Sequence, residues 1–206
     1  MGKLYYLIGK SSTGKDTIFS ELVKKRSLGL KKIIQYTTRP KRDGENEGVE
    51  YRFIDEETYE ALEKAGKVIE VRSYNTVYGI WRYMMVDDGE VALRNGNYLA
   101  VGTIESYRKV AEYFGGEDVV PIQITVEIGE RLYRAVMRER NSATPKYTEL
   151  CRRFLADEAD FSDEKLREAG LLLEDGSLVN AFENNELGSC VDAIAHFIKE
   201  TEKNAK

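Results

Sequence analysis

The chain has 206 residues, of which 33% are charged and 42% hydrophobic, and its formal net charge at pH 7 is −5. This composition excludes a disordered chain, and the length suits one compact domain with inserted subregions. No stretch is long and apolar enough to span a membrane, and the acidic balance argues against general nucleic-acid binding. We therefore expect a cytoplasmic protein, a monomer or a homodimer, whose partners are small molecules and include neither membranes nor nucleic acid.

The first predicted elements are a strand over residues 4–8 and a helix that starts near Asp16, joined by a loop rich in glycine and hydroxyl residues. The loop reads Gly-Lys-Ser-Ser-Thr-Gly-Lys-Asp-Thr over residues 9–17. Its glycines allow successive backbone N–H groups to face a phosphate, Lys15 adds a cation, and the helix directs its positive end at the same anion. We interpret this segment as a phosphate-binding loop (P-loop) for a nucleotide.

Strands and helices alternate along the rest of the chain. Asp55 precedes a periodic run and is predicted to cap a helix. The alternation indicates an α/β fold with a largely parallel sheet and helices on both faces. Beside this core, a polar loop after Arg39 and a short strand over 51–54 are predicted to form a small mixed sheet with strands 68–74 and 78–86. The other predicted strands cover 32–36, 98–101, 119–126 and 178–182, and the predicted helices cover 16–26, 55–65, 87–95, 104–114, 129–140, 147–160 and 187–202.

Basic residues concentrate in two short segments, over residues 31–42 and 131–153. Local cationic patches on an acidic protein suit a small polyanion better than a nucleic-acid duplex, which needs a broad basic face. For any single arginine, an ordinary solvated helix surface is the better interpretation.

Several ordered motifs resemble those of guanylate kinases. The P-loop is followed by Tyr-Thr-Thr-Arg-Pro-Lys-Arg over residues 36–42, and then by segments 44–53, 68–70 and 78–79 with similar spacing. Segments 138–141 and 152–153 resemble the lid of that family, and Asn-Asn-Glu-Leu over 184–187 resembles the motif before its last helix. The resemblance implies a P-loop NTPase fold of three α/β/α layers with an inserted mixed-β acceptor region and a helical lid. It further implies one domain over 1–206, divided into a core (1–34, 87–130 and 161–206), an acceptor region (35–86) and a lid (131–160).

The resemblance implies transfer of a phosphoryl group from ATP, with Mg²⁺, to GMP or dGMP. Glu70 would select guanine by accepting hydrogen bonds from two of its N–H groups, and Lys15 with the lid arginines Arg138, Arg140 and Arg153 would neutralise the transferred group. The residues expected to bind ATP are Gly9, Ser11, Ser12, Thr13, Gly14, Lys15, Asp16, Thr17 and Asn184. Those expected to bind the acceptor are Gln35, Arg39, Arg42, Tyr51, Glu70, Tyr78 and Thr103, and Asp16 and Thr17 are the candidate metal ligands.

Some residues depart from the family pattern. Asp16 stands where a hydroxyl residue usually holds magnesium, Gln35 replaces a serine, and Val136 replaces one lid arginine. In addition, Ile80 stands in place of a small hydroxyl residue, and Val101 and Thr103 in place of an acidic pair. Two alternatives therefore stay open: a binding module for phosphorylated ligands that does not catalyse, and a related kinase with another phosphorylated acceptor.

Overall fold

The computed structural model describes residues 2–76 and 79–204, which form two sheets and seven helices. The strands are β1 (Leu4–Ile8), β2 (Lys31–Lys32), β3 (Tyr36–Thr37), β4 (Arg52–Phe53), β5 (Val68–Thr76), β6 (Gly79–Val86), β7 (Tyr98–Gly102), β8 (Val119–Thr125) and β9 (Ala181–Glu183). The helices are α1 (Lys15–Lys24), α2 (Glu56–Lys64), α3 (Ile104–Phe114), α4 (Ile128–Arg140), α5 (Tyr147–Asp160), α6 (Asp163–Glu168) and α7 (Leu187–Asn204).

The larger sheet has the strand order β2-β7-β1-β8-β9, and all of its pairings are parallel. All five residues of β1 are buried, because helices cover both faces of this sheet. Tyr5 and Leu7 pack with α1 and α7 on one face, whereas Leu4, Tyr6 and Ile8 pack with α3 on the other. The predicted α/β class with three layers is therefore confirmed.

The smaller sheet has the order β4-β3-β6-β5 and is mixed, since β3 pairs in parallel with β4 and antiparallel with β6. The long hairpin of β5 and β6 forms most of it. Asp55 caps α2 as predicted, with its carboxylate accepting a hydrogen bond from the Thr58 N–H at 2.8 Å. Helices α4 and α5 follow β8 and form an α4–α5 hairpin whose connecting loop includes Pro145.

Three predicted elements are wrong. The strand over 32–36 is two short strands, β2 and β3, that belong to different sheets. The helix over 87–95 is absent except for a 3-10 turn at Leu93–Asn95. Side chains of Asp87 and Asp88 instead accept hydrogen bonds from the N–H groups two residues ahead, an arrangement that competes with helix formation. The last predicted strand, over 178–182, begins only at Ala181.

The sequence prediction also missed α6. Its N-cap is Ser162, whose hydroxyl accepts a hydrogen bond from the Lys165 N–H at 3.5 Å, and two acidic residues occupy its first turn. Only Leu166 is buried on this short helix, so it has too few apolar positions to show a helical period.

Candidate functional site

The P-loop connects the carboxyl end of β1 to the first turn of α1. Ser12 and Gly14 both have positive φ angles, 66° and 85°. At Gly14 a side chain is also excluded by space, because a Cβ atom would lie 2.5 Å from Nδ2 of Asn184. Alternating left-handed residues turn backbone N–H groups toward one point, which makes a concave anion-binding site at the positive end of the helix.

Lys15 is the first residue of α1, and its side chain is half-buried. Asp16 and Thr17 follow in the same turn and are exposed. Their carboxylate and hydroxyl oxygens are ligands of the kind that Mg²⁺ accepts. Among the described residues, however, no group of three or more His, Cys, Asp and Glu side chains is arranged to hold a metal ion.

The side chain of Asn184 contacts the P-loop. It is 5% exposed, and its Nδ2 donates a 2.8 Å hydrogen bond to the carbonyl of Thr13. Arg134 of α4 donates to the carbonyl of Asn184 at 2.9 Å. The predicted ATP-binding residues over 9–17 and Asn184 therefore lie together, with the side chain of Arg134 beside them.

An acidic pair on α5 contacts the P-loop, and the sequence analysis missed it. The carboxylate of Asp157 accepts a hydrogen bond from the Ser11 N–H at 2.8 Å and another from the Ser11 hydroxyl at 3.3 Å. Glu158 accepts one from Nζ of Lys10 at 2.7 Å. Arg131, which is 2% exposed, bridges both carboxylates. The sequence analysis includes Arg131 only as part of the basic segment 131–153, since nothing in the spacing pairs it with Asp157.

The three predicted lid arginines lie on the α4–α5 hairpin. Arg138 and Arg140 are exposed in the last turn of α4, and Arg153 of α5 pairs with Glu139 at 3.4 Å. Within the described parts of the chain, no hydrogen bond or ion pair joins any of the three to the P-loop. The arginine that does reach it from this hairpin is Arg131, which donates to the Ser11 carbonyl at 3.4 Å.

Arg39 lies inside the acceptor region rather than on its surface. It is 3% exposed, and its two terminal nitrogens donate to the carboxylate of Glu45 at 3.0 and 2.7 Å. Its guanidinium also lies 5.6 Å from the ring centre of Tyr51, and its Nε has no hydrogen-bond partner among the described residues. Arg42 is exposed, and its backbone N–H donates to the same Glu45. Hydrogen bonds from Arg39 and from the Arg42 N–H lower the pKa of Glu45.

Tyr51 is a half-buried residue of the predicted acceptor region. Burial raises the pKa of its hydroxyl. The charges that act on this hydroxyl include those of Arg39, Arg72 and, from the P-loop helix, Asp16. Tyr78, the other predicted tyrosine of the acceptor region, lies outside the described residues.

Glu70 is buried, and its partner is Arg72 on the same face of β5. Glu70 is 2% exposed, and burial raises the pKa of its carboxyl group although the charge of Arg72 opposes that shift. Gln35 accepts a 3.0 Å hydrogen bond from Arg72 through its Oε1 and donates through its Nε2 to the Val101 carbonyl at 3.5 Å. Thr103 is exposed and caps α3, where its hydroxyl accepts from the Ser106 N–H at 3.2 Å.

An open cleft of about 350 Å³ lies on this side of the smaller sheet. Four of its lining residues are aromatic and two are polar, which suits a planar ring with hydrogen-bonding groups on its edge. The lining residues are Gln35, Tyr51, Arg72, Tyr74, Trp81 and Tyr83. A second cavity, of about 300 Å³, lies beside the P-loop and is lined in part by Lys10, Arg131 and Glu158.

Comparison with known proteins finds a similarity for the part of the chain that contains the P-loop and this cleft. Residues 1–84 match the family model described as guanylate kinase. This stretch of the chain is therefore similar to guanylate kinases. The guanylate kinase of Neisseria gonorrhoeae is 34% identical over 97 residues, which are 47% of this chain and 45% of that protein. The guanylate kinase of Anaplasma phagocytophilum is 33% identical over 89 residues, which are 43% of this chain and 42% of that protein.

The chain thus spans less than half the length of these guanylate kinase relatives in the sequence alignments. The crystal structure of guanylate kinase from Anaplasma phagocytophilum covers 97% of this chain and 86% of its own length, with a TM-score of 0.61 and 22% identity. At that identity the likeness shows the fold, which is the predicted P-loop NTPase fold. None of the described helices combines the length and apolarity needed to cross a membrane.

The guanylate kinase match ends before several of the predicted site residues. The P-loop, Arg39, Tyr51 and Glu70 lie inside residues 1–84. Thr103, the lid arginines and Asn184 lie outside, where the likeness is one of fold.

Proposed function

We propose that the protein is a cytoplasmic nucleoside-monophosphate kinase that transfers the terminal phosphoryl group of ATP to GMP or dGMP. The observation that carries the proposal is a P-loop with left-handed Ser12 and Gly14 in the same chain as an aromatic cleft lined by Tyr51 and Arg72. The charge of Asp16 on the P-loop helix acts on the Tyr51 hydroxyl of that cleft. A triphosphate on the P-loop and a monophosphate beside Tyr51 would meet at that point. The named relatives are guanylate kinases, and the family match includes both sides of this junction.

In the proposed mechanism the protein aligns two anions and neutralises their charge. Phosphoryl transfer passes through a loose transition state that needs little covalent chemistry, and the acceptor phosphate is already anionic, so no general base is required. Lys15 and the P-loop N–H groups would hold the donor phosphates. Arg39, Arg42 and Tyr51 would hold the acceptor phosphate, for which Arg39 would exchange its bond to Glu45.

The α4–α5 hairpin would act as the lid, and its arginines would cover the transferred group and exclude water. Mg²⁺, when bound with ATP, would neutralise the donor phosphates, and Asp16 and Thr17 are the side chains of this chain that could hold it. The regions 35–86 and 131–160 would then be the acceptor region and lid of a single domain.

The test is a coupled assay for ADP formation with GMP, dGMP, AMP, UMP and ribose 5-phosphate as acceptors. We expect turnover with GMP and dGMP, and we expect Lys15→Met to lower kcat by at least about a hundredfold, as is typical when a charge-stabilising group is removed. Lys24→Met is the matched control, since Lys24 is exposed on the same helix and pairs with Glu21. Equal turnover in Lys15→Met and Lys24→Met would contradict the assignment of the P-loop.

The same panel separates the two alternatives. A binding module for phosphorylated ligands would form no ADP from ATP with any acceptor of the panel. A kinase with another acceptor would form ADP with a different member of the panel.

A further inference from the structure

We propose that Arg72 determines acceptor specificity by donating a hydrogen bond to the 6-oxo group of a purine base in the aromatic cleft. The proposal rests on the proposed function for the identity of the acceptor site. It adds a residue that was not among the predicted acceptor-binding set, and it gives Gln35 the role of positioning Arg72.

Arg72 is half-buried and has hydrogen-bonding capacity to spare. Its side chain is 17% exposed, and it is a lining residue of the cleft. One terminal nitrogen, Nη2, donates to Oε1 of Gln35 at 3.0 Å and to Oε1 of Glu70 at 3.4 Å. Its Nε is buried with no hydrogen-bond partner among the described residues. A guanidinium has five N–H donors, so several remain for a ligand.

Glu70 supplies an acceptor next to these donors. Its Oε2 is buried and has no hydrogen-bond partner in the described part of the chain, although Nε of Arg72 lies 3.4 Å away. An ionised carboxylate oxygen that is buried without a hydrogen bond is costly, and a ligand N–H would satisfy it. Arg72, which lines the cleft, and Glu70, which is next to it, therefore offer a donor and an acceptor side by side.

This pair matches one kind of base edge. A 6-oxopurine such as guanine presents a carbonyl acceptor at C6 beside the donor N1–H, so Arg72 and Glu70 would each meet a complementary group. Adenine presents the reverse, an amino donor at C6 beside an unprotonated N1, and it would face Arg72 with a donor and Glu70 with an acceptor. Two mismatched buried pairs reject the wrong base more strongly than one.

Gln35 fixes the position of Arg72 and has both ends of its amide engaged. Its Oε1 accepts from Arg72, while its Nε2 donates at 3.5 Å to the Val101 carbonyl on the neighbouring sheet. With both ends engaged, Gln35 is less available than a serine hydroxyl for the base carbonyl. Arg72 takes over that contact.

The experiment measures binding of GMP and of 6-thio-GMP by calorimetry in the absence of ATP. Sulfur is a weak hydrogen-bond acceptor, so the affinity ratio of the two ligands reports on the contact to position 6. We expect the wild-type protein to prefer GMP by about tenfold or more, and we expect Arg72→Met to reduce that ratio to below about threefold. If Arg72 only neutralises Glu70, Arg72→Met weakens the binding of GMP and of 6-thio-GMP by the same factor. An unchanged affinity ratio would therefore overturn the proposal.

Arg82→Met is the matched control. Arg82 lies on the adjacent strand β6, pairs with Glu56, and lies 4.5 Å from the ring centre of Tyr59, away from the lining of the cleft. Its affinity ratio is expected to equal that of the wild type, and a ratio reduced as far as in Arg72→Met would overturn the proposal.

A structure of the wild-type protein with GMP keeps the test decisive if Arg72→Met does not fold. A guanidinium nitrogen within ~3.2 Å of the 6-oxo atom supports the proposal, and a separation beyond ~4 Å overturns it. The readouts also separate this proposal from the kinase itself. Selective GMP binding without ADP formation would refute only the kinase, whereas turnover with GMP together with an unchanged affinity ratio in Arg72→Met would refute only the role of Arg72.

Discussion

Glu70 is ionisable and buried, and its protonation state decides what it can recognise. Only the carboxylate can accept hydrogen bonds from the N–H groups of guanine with both oxygens. Burial raises the pKa of Glu70 above its ordinary 4.5, and the nearby charge of Arg72 counteracts part of that shift. We therefore expect acidification to weaken acceptor binding at a higher pH than it would if Glu70 had an ordinary pKa.

We predict that GMP affinity falls as the pH is lowered from 7 toward the pKa of Glu70. This acid limb, the falling part of the plot of affinity against pH, lies above pH 4.5. Because the folded-state pKa is raised, protonation of Glu70 favours the folded state, and this group does not cause unfolding over the same range. Calorimetric titration at several pH values checks the limb. In Glu70→Gln the limb due to Glu70 should vanish, while the titration of the GMP phosphate near pH ~6 persists. Identical profiles for the two proteins would contradict the role of Glu70.

The sequence contained enough information to pair Arg72 with Glu70. Residues two apart on a strand share a face, so a strand through Glu70 places Arg72 beside it. Asp157 is different, because its contact with Ser11 depends on how the α4–α5 hairpin packs on the P-loop. That packing joins residues 146 positions apart, and no local pattern encodes it.

At the scale of elements, α5 contacts the P-loop through a carboxylate. Asp157 accepts the Ser11 N–H, one of the groups that a phosphate would use. A negative charge at this place also opposes an incoming triphosphate. The contact therefore competes with the ligand for which the loop is shaped.

We predict that Asp157→Asn binds ATP more tightly than the wild type, by about threefold to tenfold, since loss of one nearby partly screened charge changes a binding free energy by about 1 kcal/mol. Arg131 keeps Glu158 as its partner in this variant. Titration with a fluorescent ATP analogue measures the change. Asp160→Asn is the control, because Asp160 is on the same helix and pairs with Lys165. Weaker ATP binding in Asp157→Asn would mean that the carboxylate supports the loop instead of competing with its ligand.

The elements that sequence patterns predicted well are those with strong apolar periodicity. Helix α3 has Ile104, Tyr107 and Val110 buried at helical spacing, and its predicted bounds, 104–114, are those of the structure. The helix predicted over 87–95 is wrong because two aspartate side chains accept hydrogen bonds from backbone N–H groups of the same loop, and because Gly89 adopts a φ of 80°. Local polar contacts of this kind decide against a helix without changing the apolar pattern.

At the scale of the whole molecule, the two sheets serve different ligands in the proposed kinase. The parallel sheet places the P-loop at the carboxyl end of β1, and strand β5 of the mixed sheet carries Glu70 and Arg72, with Arg39 in the segment that follows β3. The alternation of elements predicted the first sheet, whereas the split of segment 32–36 between the sheets was missed. That split matters for function, because Gln35 lies in the crossing between β2 and β3 and contacts Val101 and Arg72.

If the two sites face each other across Tyr51, one ligand can occupy both. We predict that a bisubstrate analogue, adenosine and guanosine joined through five phosphates, binds at least about a hundredfold more tightly than ATP or GMP alone, because the second half binds at a high effective concentration. Thermal unfolding should report this as a rise in Tm larger than that given by either nucleotide at the same concentration. Lys15→Met should reduce the rise, and Lys24→Met should not. A bisubstrate analogue that raises Tm no more than GMP does would mean that the P-loop and the aromatic cleft do not form one continuous site.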